Sequence, residues 1–138
     1  MPIINAQIAT DLRPFTLAEI TIHGVNFDLP GKAQLDTGAN QCVLSHSFIL
    51  KTELKDMTPD EVRKEAYIGI DTVKSKPPLT VHIFHKPTII LYDAYNNKFS
   101  GEIDEIGFIE DTSYEYDIVV GCSFLQYEPT FIGFYMFS

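Results

Sequence analysis

The residues of this chain best suited to chemistry lie in one run, Gly31-Lys32-Ala33-Gln34-Leu35-Asp36-Thr37-Gly38-Ala39-Asn40-Gln41-Cys42-Val43-Leu44. An apolar approach ends in Asp36-Thr37-Gly38-Ala39, and an apolar exit, Cys42-Val43-Leu44, follows. Asp36 brings a carboxylate, and Thr37 a hydroxyl that both donates and accepts. Gly38 admits backbone angles that other residues avoid and lets a ligand or a second backbone come close. The run suits a carboxylate held in a tight loop by main-chain donors, with no side-chain bulk between it and a bound molecule. It equally suits a surface turn between two strands, because Asp, Thr and Gly are ordinary turn residues. Context decides between the two.

Other reactive side chains offer less. His82 and His85 are three apart in a strand-like run, so they point to opposite faces and cannot share a metal ion there; with His23 and His46 they read as solvated or core histidines. Cys42 and Cys122 are too few for a disulfide scaffold or a four-thiolate zinc site and read as reduced, partly buried thiols, with a single disulfide between them as the alternative. Asp104, Glu105, Glu110, Asp111, Glu115 and Asp117 form an acidic stretch whose spacing matches no calcium loop. Tyr67 and Tyr114 read as packing or rim residues.

The chain that must position these groups has 138 residues, 45% hydrophobic and 21% charged. That is ordinary globular composition, enough for one domain, residues 1–138, with its own core. Ten Phe, seven Tyr and no Trp, with frequent Ile and Val, favour strands over helices. A net charge of −9 and a pI near 4.7 argue against nucleic acid and anionic membrane surfaces as partners. No apolar run reaches the length of a membrane span, and Met1-Pro2-Ile3-Ile4-Asn5 lacks the basic start of a secretory signal. A soluble cytoplasmic protein is the expectation.

Strands are expected near Ile3 to Ile8, over Phe15 to His23, Lys32 to Leu35, from Val43, over Leu79 to Phe84, Thr88 to Tyr95, Lys98 to Ile103, Glu105 to Ile109, from Ile118, and over Phe131 to Phe137. In Phe15 to His23, alternation places Ala18, Ile20 and Ile22 on one face. Ser45 to Ile49 reads as a turn or a single helical turn. Thr58-Pro59-Asp60-Glu61 has the form of a capping box and predicts a helix of about two turns reaching Ala66. A short helix is also expected after Gly121, around Ser123-Phe124-Leu125.

Three features follow one another in order: Leu35-Asp36-Thr37-Gly38-Ala39, then Ile68-Gly69-Ile70, then Ile118-Val119-Val120-Gly121 with Ser123-Phe124-Leu125 behind it. Together they resemble the retropepsin-like (retroviral-type) aspartic proteases, from about Phe15 onward, with extra residues around Lys51 to Glu65. The resemblance implies a mostly β fold: a small closed acid-protease-type β-barrel with one or two short helices, the single-domain half of a two-fold dimer. Asn40 and Cys122 stand where family members often carry a paired carboxylate and basic residue. The second motif has one glycine where two or more are common.

The resemblance also implies roles. Asp36, Thr37 and Gly38 would be catalytic: Asp36 meets its counterpart in a homodimer, Thr37 bonds across the interface, and Gly38 N–H donates to the carboxylate. Ala39 and Asn40 would contact a peptide or protein substrate. Gly69 and Ile70 would form a flap over it, and Gln34, Val43, Val119 and Asp117 would line subsites. The runs Ile3–Ile8 and Phe131–Phe137 could interleave between subunits. No metal or other cofactor is implied. A second reading, from another class, is a catalytically inactive peptide-binding or assembly module of the same fold.

Overall fold

The computed structural model describes residues 3–10, 13–27, 31–65, 78–125 and 131–135, of which 65 and 131–135 are described by backbone alone. Strand β1 spans Ile3–Ile8 and β2 Pro14–Ile22. In β2 the expected alternation appears: Thr16, Ala18, Ile20 and Ile22 are buried, while Leu17 is half exposed. The short β3 (Val25–Asn26) turns back on β2 through His23 and Gly24, both at positive φ. β4 (Gly31–Leu35) repeats the alternation, burying Gly31, Ala33 and Leu35 and leaving Lys32 and Gln34 on the open face. β5 (Val43–Leu44), helix α1 (His46–Leu50) and a 3-10 turn (Glu53–Asp56) follow. Then come β6 (Glu61–Glu65), β7 (Leu79–His85), β8 (Thr88–Tyr92), β9 (Lys98–Glu102), β10 (Glu105–Ile109), β11 (Ile118–Val120), helix α2 (Cys122–Leu125) and β12 (Phe131–Tyr135).

These strands join one sheet in the order β12-β1-β2-β4-β11-β5-β10-β7-β6, with β3 and β8 also on β2 and β9 on β8. Most pairs are antiparallel; β1/β12, β5/β10 and β4/β11 run parallel. The core is gathered from Ile4, Ile20, Leu35, Leu44, Phe48, Phe84, Leu91, Ile118 and Val120, all buried. Removing each such side chain from water contributes about 1.5–3 kcal/mol.

The mostly β reading and the two short helices stand. Several finer expectations are corrected. The helix predicted from Thr58 is strand β6, paired antiparallel with β7 from Glu61↔Ile83 to Glu65↔Leu79. Tertiary pairing overrides the local helix signal: Asp60, instead of entering a first helical turn, donates its N–H to the Ile83 carbonyl and accepts the His85 N–H on its carboxylate. The cap in this region is Thr52, whose hydroxyl accepts the Leu54 N–H at the start of the 3-10 turn. The strand expected to reach Tyr95 stops at Tyr92, because Asp93 begins a turn with Asn96 at positive φ. The expected barrel is not closed: among the described residues no pairing joins β6 back to β12. The two terminal runs, expected to interleave between subunits, pair with each other in one chain, Ile3↔Phe131 to Gln7↔Tyr135.

Candidate active site

β4 delivers Asp36. Its last residues run parallel to β11 in the register Ala33↔Ile118, Gln34↔Val119 and Leu35↔Val120, and the Asp36 N–H continues the ladder to the Val120 carbonyl at 2.9 Å. The chain then turns sharply: Ala39 N–H returns to the Asp36 carbonyl at 3.2 Å, and Gly38 N–H donates to Asp36 Oδ1 at 2.9 Å. Among the described residues nothing in the chain donates to the other oxygen. Asp36 is half-buried, Thr37 and Gly38 are exposed, and the Thr37 hydroxyl has no partner within the described chain.

The loop rests on the start of α2. Cys122 N–H donates to the Ala39 carbonyl at 2.8 Å, and Ser123 N–H to the Asn40 carbonyl at 2.9 Å. These bonds draw the loop onto Gly121. A Cβ at Gly121 would lie 2.4 Å from the Gln41 carbonyl oxygen and 2.6 Å from that of Ala39, so only glycine fits. The Cys122 thiol donates to the Thr37 carbonyl at 3.1 Å, and Gly121 N–H reaches Cys42 Sγ at 3.4 Å. Cys42 lies 3.3 Å from the Ser123 hydroxyl, and burial pushes its thiol pKa up. Both cysteines are free. A thiol thus braces the loop where the family resemblance would place a cation.

The other expected site residues divide by position. Gln34 shares the open face of β4 with Asp36, two residues back, and lies half-buried between its register partners Phe15 and Val119. Val43 pairs with Val119 from the far side and is buried. Ala39 is buried and Asn40 exposed, both in the loop. Asp117 sits at the opposite end of β11 from Asp36. Its carboxylate accepts the Lys32 N–H at 2.9 Å and Lys51 Nζ at 2.7 Å, which fixes the start of β4 to the end of α1. Gly69 and Ile70 lie outside the described residues. The bracing roles of Ser123, expected only as part of a short helix, and of Lys51 were not readable locally, because each acts through a partner distant in the chain.

Among the described residues no three His, Cys, Asp or Glu side chains are placed to hold a metal ion. His82 stacks on Phe108 with centroids 4.9 Å apart, while His85 lies 2.9 Å from Glu61. No helix among the described residues is long and apolar enough to cross a membrane.

No family model and no curated protein matches the sequence. Among solved structures, a retropepsin-like aspartic protease from Rickettsia conorii superimposes with a TM-score of 0.53 at 13% identity, covering 91% of this chain and 78% of that one. The fold is retropepsin-like. The retroviral protease-like domain of Ddi1 from Leishmania major is also similar, at a TM-score of 0.40 and 14% identity over 81% of this chain and 75% of that one. At 13% identity the likeness to the Rickettsia conorii protease speaks for the fold alone.

Proposed function

We propose that this chain is one half of a homodimeric aspartic endopeptidase, residues 1–138 forming a single domain. The observation that carries the reading is the state of Asp36: one carboxylate oxygen is held by the Gly38 N–H and the other takes no hydrogen bond from the described chain. One carboxylate cannot both take a proton and donate one. A second chain related by a two-fold axis would supply the missing acid. Two carboxylates about 3 Å apart share a single proton and titrate as a coupled pair.

In the assembled site the ionised oxygen takes a proton from a trapped water. That water attacks the scissile carbonyl, while the protonated carboxyl donates to the carbonyl oxygen as its charge grows. The peptide binds extended, with main-chain bonds to Ala39 and Asn40 and side chains toward Gln34, Val43 and Val119. The Thr37 hydroxyl, exposed and without a partner among the described residues, is available to bond across the axis.

Cleavage of a peptide library by the wild type and by Asp36→Asn, with sedimentation of both, tests the reading. Cleavage by the dimer, inhibition by pepstatin and no cleavage by Asp36→Asn support it. Equal cleavage by Asp36→Asn, or a chain that stays monomeric at every concentration and pH, overturns it. The inactive peptide-binding reading draws on the uncharged Asn40 and Cys122, and predicts peptide retention by a wild type that cleaves nothing.

A further inference from the structure

We infer that Gln34 is a specificity-determining residue of the Asp36 site, selecting peptides with an amide- or hydroxyl-bearing side chain beside the scissile bond. The inference rests on the endopeptidase reading and names its substrate class. In a strand, residues two apart share a face and lie about 7 Å from each other. Gln34 and Asp36 therefore stand side by side on the open face of β4, while Ala33 and Leu35 point into the core. An extended peptide across Asp36 repeats the same spacing, so the side chain next to the reacting bond falls within reach of Gln34.

The surroundings of Gln34 give the amide its meaning. Across the sheet its register partners are Phe15 on β2 and Val119 on β11, and beyond Val119 lies Val43. Between Phe15 and Val43 Gln34 is the one polar position, and the row's next polar residue is Gln7, the register partner of Phe15; a binding wall carries few such orienting groups. Gln34 is half-buried, and its carboxamide has no hydrogen-bond partner in the described chain. It does not hold the fold together, and an aliphatic residue would complete the wall at no polar cost.

A bound peptide would remove water from this carboxamide. A substrate side chain that cannot hydrogen-bond then leaves it unpaired, so polar side chains are favoured by about tenfold or more. A charged partner is less suited. Lys32, the cation on the same face, lies about 13 Å behind Asp36 at strand spacing. Its ammonium rests over the rings of Phe15 and Tyr116, 4.4 and 5.2 Å from their centroids.

The test uses Asp36→Asn protein, expected to hold peptides without cleaving them. A library of extended decapeptides is passed over it and over the double variants carrying Gln34→Leu or Gln34→Glu, and the retained peptides are read by mass spectrometry. The expected result is about tenfold enrichment of Asn, Gln, Ser or Thr over Leu, Ile and Phe at one position. That preference reverses in Gln34→Leu and persists in Gln34→Glu, which keeps the size and an acceptor oxygen. Retention with the same profile in all three proteins overturns the inference and leaves the endopeptidase reading standing. No retention by any of them overturns both.

Discussion

Asp36 and Asp93 are both aspartates at the end of a strand, and the chain treats them in opposite ways. Asp93, after β8, is buried, and both its oxygens are engaged. Oδ1 accepts the N–H groups of Tyr95 and Asn97, and Oδ2 accepts the Asn5 N–H with the side-chain amides of Asn5 and Asn97. It ties β1 to the turn between β8 and β9, a tie reinforced by the Ala94 N–H on the Asn5 carbonyl. Asp36 is half-buried and accepts one N–H, that of Gly38. A carboxylate saturated by its own chain has no lone pair left for a substrate. One held by a single donor is positioned and still available. On the proposed reading, the number of donors supplied by the fold is what distinguishes Asp36 from Asp93.

Exchanging the two outcomes gives the largest effects. Asp36→Asn is expected to lower peptide cleavage by about a thousandfold or more while leaving the unfolding free energy within about 0.5 kcal/mol. Asp93→Ala, which orphans buried N–H groups, is expected to cost about 2–4 kcal/mol, with activity falling only as the folded fraction falls. Urea unfolding beside a cleavage assay reads both. If Asp36→Asn proves the destabilising change, the contrast between the sites is gone.

The loop that carries the proposed catalytic carboxylate was legible in the sequence, and the tie made by Asp93 was not. Asp36 sits between an apolar run and Thr-Gly-Ala, a local pattern that β4 and its turn reproduce. Asp93 acts through Asn5, 88 positions away, and no local pattern holds that distance. The same limit explains the missed β6: Thr58 to Glu61 carries a genuine helix-start signal, and pairing with β7 outweighs it. Strand alternation was readable wherever one face meets the core, as in Ala18-Glu19-Ile20-Thr21-Ile22. Parallel pairing of β1 with β12, and the open path of the sheet, depend on partners that alternation does not name.

The seat beneath the Asp36 loop sharpens the comparison next. Gly121→Ala would drive a methyl into two backbone carbonyls and is expected to cost about 1–3 kcal/mol and displace the loop, so cleavage falls beyond the loss of folded protein. Gly101→Ala is the matched control. Its Cβ would meet the Phe124 ring at 3.2 Å, a side chain rather than backbone, so a smaller loss confined to stability is expected. Equal activity per folded molecule in both variants would show that the loop is not seated on Gly121.

Acid should loosen the tie made by Asp93. Burial opposes the charge on Asp93, but the N–H groups of Asn5, Asn97 and Tyr95 outweigh it and hold its carboxyl below the usual carboxylate range. Its contribution to stability is therefore complete above its unfolded value, near 3.9, and is lost as pH falls through the lower folded value. Wild type and Asp93→Asn should thus differ most in unfolding free energy near neutral pH and converge as the pH falls below the lowered folded value. A difference that grows toward acid would reverse the sign and remove Asp93 as the acid-labile tie.

The smallest effect concerns the two thiols flanking the loop. Cys42 is buried, and desolvation raises its thiol pKa, so little nucleophilic thiolate forms there near neutral pH. Cys122 is half-buried and donates its S–H to the Thr37 carbonyl, the carbonyl next to the exposed side of the Asp36 turn. Iodoacetamide should therefore label Cys122 about tenfold or more faster than Cys42, read by peptide mass mapping. Cys122→Ser keeps a donor for Thr37 and should preserve cleavage. Cys122→Ala removes it at a stability cost below about 1 kcal/mol, so any larger drop in cleavage reports on how firmly Asp36 must be held rather than on whether the chain folds. Preferential labelling of Cys42 would mean that the loop opens away from α2 in solution, and the single bond from Gly38 would then be too weak a hold to call Asp36 positioned.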